Sequence, residues 1–117
     1  MTEALSAEDA KLVTLAKSAR ARVGAASGAA IRDETGRTYT AAEVSLPSLK
    51  LTALELAVAQ AVASGSRGVE AAAVVTDNPH AVQETAALVD LGGSTIPLIV
   101  CAADGEIVRT VTSGSPA

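Results

Sequence analysis

Residues 51–65 read LTALELAVAQAVASG, and the way this stretch packs decides the fold. Leu51, Leu54, Val58 and Val62 share one helical face, while Ala53, Ala57 and Ala61 form a second row at intervals of four. A helix apolar on two sides belongs at the centre of a domain. Its Leu/Val face is expected on a sheet, leaving the Ala53/Ala57/Ala61 ridge and the adjacent Leu56 for another surface to cover.

Working outward toward the C-terminus, Val69–Val75 (VEAAAVV) and Ile96–Ala102 (IPLIVCA) are nearly continuous apolar runs, as interior strands covered on both faces require. Between them Asn78 reads as a cap, Pro79 as a first helical residue, Val82, Ala86 and Val89 as a stripe, and Gly92 as a stop. Asp104-Gly105 is a two-residue hairpin signal that returns Ile107–Val111 antiparallel.

Toward the N-terminus, Ser6 and Asp9 read as a variant capping box opening a helix over about residues 7–22. Its stripe of Leu12, Leu15, Ala16, Ala19 and Val23 stops at Gly24. Ala25–Ile31 and Arg37–Val44 read as antiparallel strands joined through the turn Asp33-Glu34-Thr35-Gly36. The order α-β-β-α-β-α-β-β predicts an α/β fold, a three-layer α/β/α sandwich with a mixed five-stranded sheet that holds both middle βαβ crossovers. Residues 1–111 are expected to form one domain and residues 112–117 a disordered tail.

Composition bounds the rest. A chain of 117 residues, 49% hydrophobic, supports one core, but with no Trp, no Phe and a single Tyr that core must be built from Ala, Val and Leu. The lone Cys101 rules out an internal disulfide, and the acidic start MTEALSAEDAK lacks the pattern of a signal peptide, so a reducing cytoplasm is expected. No apolar run approaches the ~20 residues that cross a bilayer. Residues 1–50 hold seven Lys/Arg against six Asp/Glu and residues 51–117 hold two against seven, a balance that argues against a nucleic-acid footprint. Lys17, Arg20 and Arg22 read as a solvated helix face with no stacking aromatics beside them.

General catalytic patterns are missing. A Ser-His-Asp arrangement would have to use His80, and no Gly-x-Ser-x-Gly elbow follows a strand. Gly24 and Gly28 make no dinucleotide or phosphate loop, and Asp77 and Asp104 read as turn and cap residues.

Val23-Gly24-Ala25-Ala26, Asp33–Gly36, Tyr39-Thr40, LTALELAVAQAVASG and the strand-turn-strand LIVCAADGEIV, taken in order, resemble the small free-nucleoside cytidine deaminases, from about Leu12 to Val111. The resemblance implies a superfamily in which three His or Cys ligands hold a zinc ion that activates water, and a Glu moves the proton. Its first ligand and Glu sit in a Cys-Ala-Glu or His-Ala-Glu step, which maps onto Thr52-Ala53-Leu54. A shift by one residue puts Glu55 at the proton-transfer position and Ala53 at the ligand. The Pro-Cys-x-x-Cys pair maps onto His80 and Gln83, or in the other register onto Ala81 and Glu84. The aromatic before the Val-Gly-Ala-Ala step becomes Ala21, and the Asn-x-Glu that holds the ribose becomes Glu43 and Ser45.

With one His and one Cys, the chain cannot supply such a metal site. The expectation is a catalytically inactive relative with no zinc or other cofactor and a vestigial pocket of Glu43, Ser45, Thr52, Ala53, Leu54, Glu55 and His80. The resemblance implies a homo-oligomer, tetramer favoured over dimer, with Ala53, Leu56, Ala57 and Ala61 expected at the interface. Two other readings stay open: a zinc-independent binder of a small nucleoside-like ligand or an enzyme of different chemistry, and a true deaminase.

Overall fold

Ser6 opens the first helix by accepting the Asp9 amide on its hydroxyl at 3.1 Å, and Gly24 closes it in the left-handed conformation at φ 64°. This helix is α1 (Ala7–Val23). The structure, a computed structural model, describes residues 5–117, so the first four residues of the expected domain lie outside the described residues.

Two strands, β1 (Ser27–Asp33) and β2 (Thr38–Ala42), form the anticipated antiparallel hairpin. A short second hairpin follows, β3 (Val44–Leu46) and β4 (Leu49–Leu51), which leads into α2 (Ala53–Ala63). Then come β5 (Val69–Thr76), α3 (Ala86–Gly92), β6 (Pro97–Cys101) and β7 (Ile107–Thr112). The main sheet runs β2-β1-β5-β6-β7. β1 is antiparallel to both β2 and β5, β5 is parallel to β6, and β7 returns antiparallel on the edge. β2 and β5 therefore point the same way, and α2 is the crossover between them that passes over β1.

Alternation sorts the interior into two layers. Ala30, Ala71, Ala73, Val75, Ile99 and Cys101 face Leu12 and Ala16 of α1. Ala29, Ile31, Ala72, Val74, Leu98 and Val100 face α2 and Leu88 of α3. The result is the expected three-layer α/β/α sandwich with a mixed five-stranded sheet.

Three local expectations are corrected. Along α2, Ala53, Ala57 and Ala61 are fully buried in the chain's own core together with Leu54 and Val58, and Leu56 is half-buried against it, whereas Val62 is 55% exposed. The alanine row is buried with Ala29 of β1 and Ala41 of β2, the two strands on which α2 packs, and methyl side chains allow a close approach there; Leu51 belongs to β4. Val23 is 66% exposed and lies outside the α1 stripe. The helix expected from Pro79 begins only at Ala86. Within residues 112–117, Ser113 is buried, accepting the Ile96 amide at 3.1 Å and donating to Gly93 O at 2.5 Å.

Candidate functional site

The C-terminal ends of β2 and β5 and the head of α2 gather at one end of the sheet, because the crossover returns α2 to the place where β2 stopped. Glu43 N donates to Ser27 O at 3.1 Å, Ser27 is paired with Thr76, and Asp77 N donates to Ala26 O at 3.0 Å. Ligands of open α/β sheets bind at such ends.

Here the β3–β4 hairpin and the head of α2 form an open cleft of about 240 Å³ lined by Glu43, Val44, Ser45, Lys50, Leu51, Thr52 and Glu55. Four of the residues singled out from the sequence, Glu43, Ser45, Thr52 and Glu55, are brought together. Ala53 and Leu54 instead lie beneath, 1% and 4% exposed in the core. His80 is exposed in the segment after β5 and is not among the lining residues. Lys50 enters the site because the hairpin pairs it with Ser45. The sequence carried a signal for it in Pro47-Ser48, two turn residues between VSL and LKL.

Thr52 and Glu55 are committed to each other. Glu55 N donates to Thr52 Oγ1 at 3.0 Å and Thr52 N donates to Glu55 Oε1 at 2.8 Å, a reciprocal capping box that satisfies two helix-end amides. The Thr52 side chain is thus a cap acceptor, and Glu55 spends one carboxylate oxygen on the backbone.

The donor set does not fit a zinc ion. Among the described residues no group of three or more His, Cys, Asp or Glu side chains is placed to hold a metal. Cys101 is fully buried in β6, where burial first, and then Asp104, push its thiol up to about 11, far from a thiolate at neutral pH. His80 and Gln83, or Ala81 and Glu84, lie on a non-helical segment, so neither register presents a ligand pair from a helix start.

A family model described as cytidine deaminase-like matches residues 5–105. The chain belongs to the cytidine deaminase-like family. Among solved structures it is similar to a cytidine deaminase from Burkholderia pseudomallei, with a TM-score of 0.78 and 23% identity, over 94% of each chain. It is also similar to a cytidine deaminase from Mycobacterium leprae, with a TM-score of 0.69 and 21% identity, over 93% of this chain and 95% of that one. At these identities the likeness establishes the fold. No curated protein matches.

Arg109 was not foreseen. It stands opposite Val100 on β7 and donates from NH2 to Ala81 O at 2.9 Å, pinning the segment after β5. No local motif marks it, since its partner is 28 residues away. Among the described residues no helix is long and apolar enough to cross a membrane.

Proposed function

We propose that this chain is a catalytically inactive member of the cytidine deaminase-like family, a cytoplasmic homo-oligomeric protein that acts by interaction. The observation that carries this reading is the mutual capping of Thr52 and Glu55 above a core-facing Leu54. The positions that the family resemblance assigns to a metal ligand and a proton carrier close a helix and fill a core.

The test is the zinc content and cytidine turnover of protein purified without a histidine tag. Substoichiometric zinc with no deamination above background is expected; one tightly held equivalent per chain, or turnover abolished by a chelator, overturns the reading in favour of an active deaminase.

For assembly, tetramer favoured over dimer, the support is no longer the buried alanine row. It is the apolar groove of about 260 Å³ between α2 and α3, lined by Val58, Val62, Ala87, Asp90 and Leu91. Sedimentation equilibrium at tens of micromolar decides it: a monomer of 11.6 kDa removes the assembly and the scaffold role with it.

The cavity beside Ser45, Lys50 and Thr52 favours the second reading, a small-ligand binder. Its volume falls below the ~300–1,000 Å³ usual for ligand pockets, which is why it ranks second. Base-selective micromolar binding of a nucleoside by calorimetry would reverse that order.

A further inference from the structure

Residues 79–85 carry the local signals of a helix start and are not helical. Asn78-Pro79 offers a cap and a preset first turn, and Ala81, Gln83 and Glu84 are good helix formers. α3 begins directly after them at Ala86, so winding this segment would lengthen an existing helix and need no new nucleus.

Side chains hold it open instead. Arg109 NH2 donates to Ala81 O at 2.9 Å and Gln83 Nε2 donates to the same oxygen at 3.0 Å. Thr85 Oγ1 donates to Ser113 O at 2.6 Å, and Asn78 N donates to Thr76 Oγ1 at 3.2 Å. Among the described residues, the turn at the start of the segment is closed by one backbone bond, Ala81 N to Asn78 O at 3.2 Å. Val82 stands 62% exposed.

The open and wound arrangements compete for one acceptor. In a helix begun at Pro79, the Ala81 carbonyl accepts the Thr85 amide four residues on. Here Arg109 and Gln83 together fill both lone pairs of that carbonyl, and Arg109 does so at a disadvantage, because its Nε is buried without a partner among the described residues and an unmet buried donor is costly. Local preference and tertiary contact thus oppose each other at one residue, a conflict that folded chains otherwise avoid.

We infer that residues 79–85 are a two-state strap, open when Arg109 holds Ala81 and wound onto α3 when it lets go. Val82, Gln83, Glu84, Thr85 and Ser113 form part of the wall of a cavity of about 620 Å³, so winding reshapes that cavity and carries Val82 onto the row of Ala86 and Val89. This holds whether or not the chain is an enzyme.

The test is NMR of the wild type and of Arg109→Met, which keeps apolar bulk and removes the donors. In Arg109→Met the Cα shifts of residues 80–85 should move to helical values, and exchange of the Gln83, Glu84 and Thr85 amides should slow by about tenfold or more. Adding Glu84→Gly should reverse both changes. A folded Arg109→Met with shifts unchanged at these residues overturns the strap. Should that variant not fold, saturation-transfer NMR on the wild type replaces it: a helical minor state at roughly 0.1–10% population supports the strap, and a single state at these residues overturns it.

Discussion

Ser66 Oγ donates to Asp33 Oδ2 at 2.6 Å, tying the turn after β1 to the loop that leads from α2 into β5. Asp33 is only 2% exposed, and its other oxygen accepts from Thr35 N, Thr35 Oγ1 and Arg37 N at 2.9, 2.7 and 3.0 Å. Burial alone would raise this carboxyl; the hydrogen bonds from Ser66, Thr35 and Arg37 outweigh it and bring it from 3.8 down to about 2.

That shift has a definite sign. A carboxyl lowered in the folded state contributes stability in full above its ordinary value of 3.8 and loses it as the pH falls toward about 2. Urea midpoints should therefore drop across that window. Ser66→Ala should cost about 1–3 kcal/mol at neutral pH and flatten the acid limb. An acid limb unchanged in Ser66→Ala would show that the bond does not hold the proton off.

Gly28 sets the spacing between α1 and the sheet. A Cβ there would stand 2.6 Å from Arg20 N and closer still to Ala16 O, both helix backbone. Gly28→Ala should destabilise by about 2 kcal/mol or more. Gly68→Ala, whose nearest contact would be Glu34 Cβ at 3.7 Å, should stay within about 0.5 kcal/mol of wild type. Paired urea denaturations check both.

Thr52→Ala should lower stability by about 1 kcal/mol through loss of the α2 cap. Glu55→Gln keeps an acceptor for the Thr52 amide and should be close to neutral. If thermal unfolding shows equal losses for the two, the capping box is not the role of this pair.

Cys101, fully buried with its thiol raised to about 11, should resist maleimide in the native state at neutral pH and react at once in urea. Rapid native labelling would mean that β6 opens on the timescale of the reaction.

The layers and strands were legible because β5 and β6 have no polar face, and the chain punctuates them with Asp104-Gly105 and Gly24. The packing of α2 was not. Both of its rows are apolar, and which row meets the sheet depends on small residues of β1 and β2, Ala29 and Ala41, that lie on other elements. The loss of the helix over 79–85 depends on Arg109 and Ser113, contacts about 28 residues away that no window of local sequence contains. At the site, Glu43, Ser45, Thr52 and Glu55 were grouped in advance only through the family resemblance, since the hairpin of β3 and β4 that brings them together was not foreseen. His80 was misplaced with the helix that was expected to carry it.

The capping box also bears on the direction in which this chain can change. Exchanging Thr52 for a ligand such as Cys forfeits the cap, about 1 kcal/mol. Exchanging Leu54 for Glu sets a carboxylate where the side chain is 4% exposed in the core, a cost of several kcal/mol from a total that is typically about 5–15 kcal/mol. Each of these exchanges toward a metal-binding head of α2 is therefore downhill in stability. On the reading proposed above, the head of α2 acts as an evolutionary ratchet: its surface is free to change, while the cap and the core hold Thr52 and Leu54 in place.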